Sequence, residues 1–266
     1  MEQSPSSHFS STRAVKPRRF ASRSSGLAQN APDNHSVPAK RIVVRERAKS
    51  RELWIDGTFA SLYRPGSPAT GGVWDALAAP LLLLPPKRRR SVLLLGFGAG
   101  SAARLARALA PEAHIVGVDA DPDVLAVAER EFALADLRLE LVCAYARQFL
   151  LRTRRRFDFI MEDVFVGSGR ALHKPDWLPE PGLQLAARRL RRGGILAVNA
   201  IDETAAVRRS LRALFPAVLQ IHVKDYDNQI LVGGPIQLSA SALRVSIARH
   251  PALRQSAKCL HLHVSF

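Results

Sequence analysis

Cysteine is scarce in this 266-residue chain: Cys143 and Cys259 are the only two, too few for a disulfide framework or a zinc cage. Long apolar runs are also missing. The greasiest stretch, Ala76 to Leu84, is broken by Pro80 and falls far short of the ~20 residues a membrane span needs. Acid is in deficit, with 23 Asp and Glu against 39 Lys and Arg, a formal net charge of +16. A field of that sign attracts nucleic acid, anionic lipid or anionic cofactors without choosing among them. What is plentiful is apolar residue, 47% of the chain, which supports a sizeable core and excludes global disorder.

Residues 1–40 hold nine serines and scattered Pro and Arg without apolar periodicity, and read as a disordered basic tail. No apolar h-region marks a secretory signal. The expectation is a cytoplasmic protein, with organellar import by the tail as the alternative. Residues 41–85 read as a small antiparallel β module with a linking helix interrupted at Pro80. The Asp56-Gly57 turn lies between its second and third strands. From residue 86 to 234 buried strands alternate with helices, the pattern of a doubly wound, mostly parallel α/β sheet. A terminal hairpin around Asp225–Asn228 is expected to supply its antiparallel edge. Residues 235–266 are set apart as a C-terminal extension.

The strongest local signal is Leu93-Leu-Leu-Gly96-Phe-Gly98-Ala-Gly100-Ser, placed between a buried strand and a helix. Glycines there let a backbone approach a ligand where a Cβ would clash. The next strand ends in Val118-Asp119-Ala-Asp121-Pro122. A carboxylate at that tip is placed for ribose hydroxyls, and Asp119 takes this role while Asp121 caps the following helix before Pro122. Ser101 stands where a dehydrogenase fingerprint has glycine, which turns the reading from a nicotinamide cofactor to a sulfonium nucleoside.

With Gly193-Gly194 closing a helix into a strand before the hairpin, the chain resembles the class I S-adenosylmethionine-dependent methyltransferase fold. Leu53-Trp-Ile-Asp-Gly57, the VLLLGFGAG loop, Val118-Asp-Ala-Asp-Pro, Arg147-Gln-Phe-Leu and Phe157-Asp-Phe-Ile-Met-Glu-Asp163 follow in order. Together, over roughly residues 41–234, they are similar to the spermidine synthase (polyamine aminopropyltransferase) family, in its divergent spermidine synthase-like branch. That resemblance implies aminopropyl transfer from decarboxylated S-adenosylmethionine to an amine in polyamine biosynthesis. It also implies a dimer through the N-terminal sheet.

The implied site holds Gly96, Gly98, Gly100, Asp119 and Tyr145 around the nucleotide and Asp163 as the carboxylate acting on the amine. Several family positions differ: Ala99 replaces the loop aspartate, Tyr145 the adenine-binding aspartate, Val166 the proton acceptor and Ala60 a glutamine. The family's Tyr-Pro-Ser-Gly segment is missing. A loop carboxylate would repel the carboxylate of intact S-adenosylmethionine, so Ala99 admits the intact cofactor. The alternatives are therefore a methyltransferase using the intact cofactor, on an anionic partner drawn by the net charge, and a non-catalytic nucleotide-binding protein; the acceptor of the main reading is a small amine or other nucleophile. The basic runs Lys87–Arg90, Arg152–Arg156 and Arg188–Arg192 each precede a strand. They read as solvated ends, with a nucleic-acid surface as the alternative. His261-x-His263 beside Cys259 is read as a surface strand rather than a metal site. Trp177 belongs to a segment that either anchors on the core or covers the pocket.

Overall fold

The computed structural model describes residues 41–264, with side chains to Leu262. The tail reading for residues 1–40 therefore lies outside the described residues. Three β-rich runs form an antiparallel sheet in the order β1 (Ile42–Arg47), β2 (Ser50–Ile55) and β3 (Thr58–Tyr63). Asp56 and Gly57 take left-handed backbone angles, φ 48° and 75°, in the β2–β3 turn, where glycine carries no steric penalty. Helix α1 (Val73–Ala78) passes at Pro80 into a 3-10 turn, Ala79–Leu83, because proline cannot donate the helical hydrogen bond.

The main sheet has eight strands. In order across it they are β11 (Leu260–Val264), β9 (Ala217–Val223), β10 (Gln229–Gly234), β8 (Leu190–Ala200), β7 (Phe157–Glu162), β4 (Ser91–Leu95), β5 (His114–Asp119) and β6 (Leu139–Cys143). The strands from β8 to β6 are parallel, and β10 pairs antiparallel with both β8 and β9. Val92–Leu95 and Phe157–Glu162 are buried along their length, as strands covered on both faces must be. Helices α2 (Ser101–Leu109) and α3 (Pro122–Glu131) cover one face with α1. The other carries α4 (Ala146–Arg152), α5 (Gly182–Arg188) and α6 (Thr204–Leu214).

One expectation is corrected. The hairpin β9–β10 is not the edge, because β11 pairs antiparallel with β9 outside it, Leu260 opposite Val223. Residues 235–264 thus return through α7 (Ala240–Arg249) to complete the sheet. His261 is exposed on that outer strand, and among the described residues no group of three His, Cys, Asp or Glu could hold a metal. No helix among them is long and apolar enough to cross a membrane.

Candidate functional site

Parallel strands deliver their carboxyl ends to one edge of the sheet, and the sequence-derived site residues gather there. The loop after β4 has all three glycines at positive φ: 80° at Gly96, 55° at Gly98 and 81° at Gly100. At Gly96 the reason is steric as well as torsional, since a Cβ would stand 2.4 Å from the Asp163 carbonyl oxygen. The end of β7 therefore lies directly against the loop, and Asp163 N donates to Leu95 O at 2.8 Å.

Asp119, at the tip of β5, accepts from Gly98 N at 2.8 Å and from Asp121 N at 3.1 Å. It ties the glycine loop to the second strand. Asp121 caps α3, accepting from Asp123 N and Val124 N, as the Asp-Pro pair predicts. Tyr145 stands just before α4 with 66% of its surface exposed, a flat ring at the same edge.

Asp163 is half-buried and held by two donors, Asn199 Nδ2 at 2.7 Å and Trp74 Nε1 at 3.2 Å. Asn199 in turn accepts from Asn228 Nδ2 at 3.0 Å. Burial raises the Asp163 carboxyl to about 6, outweighing the hydrogen bond from Asn199 and the nearby Lys174 charge, which pull it down. Neighbours on a strand face opposite ways, and Glu162 accordingly points elsewhere. Its two oxygens accept from Lys174 Nζ at 2.8 Å each in a buried pair, and the same ammonium donates to Val164 O at 3.0 Å. Burial pushes the Glu162 carboxyl up, against the pull of Lys174.

That pair anchors the segment from 163 to 178. Within it Val166 and His173 exchange backbone hydrogen bonds, leaving the Val166 side chain 40% exposed. An apolar side chain occupies the place where the resemblance expects a proton acceptor. Trp177 packs partly buried against the core beneath α5. Lys174 N donates to Glu203 Oε1 at 2.7 Å. Glu203 is the N-cap residue of α6, without a capping side-chain bond.

Sequence reasoning missed the support beneath the loop. Ser61 of β3, buried, accepts from Ala99 N at 2.8 Å, and Ser101 Oγ accepts from Leu62 N at 2.8 Å while donating to Leu62 O at 3.0 Å. The small sheet is thus clasped to the glycine loop by two serines. The two Ser residues, at the third strand and immediately after the last glycine, were the available signal.

Residues 92–194, the strand–loop–helix core just described, match the methyltransferase domain family model. Over 159 residues the chain is 28% identical to the eEF1A lysine and N-terminal methyltransferase homolog of Drosophila melanogaster, covering 55% of this chain. The chain spans 24% of that relative's length. A probable spermidine synthase from Corynebacterium glutamicum superposes with TM-score 0.69 at 18% identity, over 85% of this chain and 88% of that one. Human methyltransferase-like protein 13, solved in complex with SAH, gives 0.57 at 24% identity over 70% and 91%. The fold is that of the class I S-adenosylmethionine-dependent methyltransferases. The domain match and the Drosophila relative support an S-adenosylmethionine-dependent transferase.

Proposed function

We infer that the protein transfers a methyl group from intact S-adenosylmethionine to an amine, with Asp163 as the group that receives the amine proton. The observation that carries this reading is Ala99. It is buried, its N–H is bound by Ser61, and the loop from Gly96 to Ser101 carries no carboxylate of its own. Gly96, Gly98 and Gly100 supply the close backbone approach, Asp119 the carboxylate at the ribose position and Tyr145 a ring for the adenine. Bound there, the cofactor supplies a carbon activated by the sulfonium. The chain itself must hold the amine and take its proton. Asp163 is suited to this. Two donors fix its orientation, and a carboxyl near 6 is ionised at neutral pH yet more basic than an exposed aspartate. The Drosophila relative's name specifies lysine and N-terminal amines. A protein amine is accordingly the first acceptor class to test.

A second reading, aminopropyl transfer to a polyamine, is favoured by the three-stranded N-terminal sheet clasped to the loop and by Asp163 at the end of β7. Val166 and the locked Glu162 leave that chemistry one carboxylate short. The two are separated by incubating the full chain with methyl-labelled S-adenosylmethionine and peptides bearing lysine or a free N-terminus. In parallel it is incubated with decarboxylated S-adenosylmethionine and putrescine. Label in the peptide, lost by ~10²-fold or more in Asp163→Asn, is the expected result. Spermidine formation without methyl transfer would replace it with the second reading.

A further inference from the structure

The amino ends of the same strands carry a second surface, unrelated to nucleotide binding. Lys87–Arg90 precede β4, Arg152–Arg156 precede β7, and Arg188–Arg192 run from α5 into β8. These three strands are consecutive in the sheet, spaced ~4.8 Å apart, so the clusters form one continuous rim. Lys87, Arg90, Arg152, Arg154, Arg155, Arg156, Arg188, Arg191 and Arg192 are exposed. The helix dipole accounts for Arg152 and Arg188, which end α4 and α5. It does not account for Arg90, Arg154, Arg155, Arg156, Arg191 and Arg192, which lie outside helices, whereas Lys87 sits in a single 3-10 turn, Pro86–Arg88.

The bulge is built. Phe157 pairs with Leu190 but Phe159 pairs with Ile195, so Arg191–Gly194 are extruded from β8, and Gly193 turns at φ 73°. Asp158, buried beneath them, accepts from Arg191 Nη1 at 3.0 Å, Ser91 N at 3.1 Å and Arg90 N at 3.3 Å. Arg88 donates to the Arg192 carbonyl and lies 3.9 Å from Asp158. One carboxylate thus pins two clusters together. Arg155 pairs with Glu140, whereas Arg152, Arg154, Arg188 and Arg192 make no ion pair with an acid among the described residues.

Besides Asp158 and Glu140 at the rim, a group of aspartates lies on the opposite edge. Asp119, Asp121, Asp123, Asp163, Asp202, Asp225 and Asp227 all lie at or beyond the carboxyl ends of the parallel strands or in the adjoining hairpin turn. Among the described residues, these aspartates stand at the end of the strands opposite the rim. Exposed large apolar side chains near the rim, Leu151 and Ile236, stand singly, without the apolar face that seats an interfacial surface in a bilayer.

We propose that this rim, Lys87–Arg90 with Arg152–Arg156 and Arg188–Arg192, docks the phosphate backbone of a nucleic acid, on the edge opposite the transferase site. Guanidinium forks match phosphate geometry, and all but one of the exposed rim cations are arginine. With no aromatic among them, the surface grips backbone rather than stacked bases.

The test uses the full chain, so that the basic tail is constant. One variant carries Arg152→Gln, Arg154→Gln, Arg188→Gln and Arg192→Gln. The control removes the same number of charges from the small sheet: Arg41→Gln, Arg45→Gln, Arg47→Gln and Lys49→Gln. Binding of labelled single-stranded RNA and duplex DNA of equal length is followed against salt. The expected result is a loss of about tenfold or more in the rim variant, with the slope of log affinity against log salt falling by about 3. The control keeps the natural slope. Restoring lysine at the four rim positions recovers most of that slope, and the RNA-to-DNA ratio identifies the source of the phosphate. Equal losses in both variants, or anionic vesicles captured in preference to either oligonucleotide, would overturn the proposal.

Discussion

Asp163 joins chemistry to stability at the residue scale. In the unfolded chain its carboxyl titrates near 3.8, and in the fold it is raised to about 6. The unfolded state therefore loses its proton first as pH rises, and stability falls between those values. Above pH 6 the penalty is complete, on the order of 2 kcal/mol after allowing for its partial exposure. Replacing Asp163 with Asn should remove this slope, so that denaturant titrations show the variant gaining relative to the natural chain from pH 4 to pH 7. Transfer should behave in the opposite sense, with kcat/KM rising about tenfold per pH unit below 6 and levelling above it. A flat acid limb would take the proton away from Asp163. The glycines, Asp119, Asp121 and Asp163 were legible in sequence because strand, loop and helix signals lie beside them. The groups that hold Asp163 were not, since Trp74 is 89 residues away and Asn199 is 36 away.

Elements show where local reading ends. The segment after β7 hangs on one buried ion pair between Lys174 and Glu162. Removing one partner leaves an unpaired buried charge, so Lys174→Met should cost about 3–5 kcal/mol in chemical denaturation. Adding Glu162→Gln should recover part of it. If the double variant is no better than the single, the cost comes from lost packing instead. The contact between the small sheet and the glycine loop is similarly specific. Ser61→Ala deletes the acceptor for Ala99 N and should cost about 1–2 kcal/mol, with weaker nucleotide binding by calorimetry. Unchanged binding would make the clasp purely structural. Strands β4, β5 and β7 were readable as apolar runs, but the opening of β8 was masked by its Gly-Gly bulge. The seven-residue α4 gave too little periodicity to be seen, and β11 is defined by pairing with β9 rather than by its own pattern.

For the whole molecule, composition revealed a charge of +16 but not its segregation. The proposed sulfonium cofactor and amine would meet the carboxyl edge, which carries Asp119 and Asp163, while the arginine rim lies at the other end of the strands. The central claim is that a loop without a carboxylate, carrying Ala99, accepts the intact cofactor. Calorimetric titration of the full chain with S-adenosylmethionine and, separately, with its decarboxylated form tests it most directly. Equal or tighter binding of the intact cofactor is predicted. A preference of about tenfold or more for the decarboxylated form, about 1.4 kcal/mol, would contradict the account and return the site to aminopropyl chemistry.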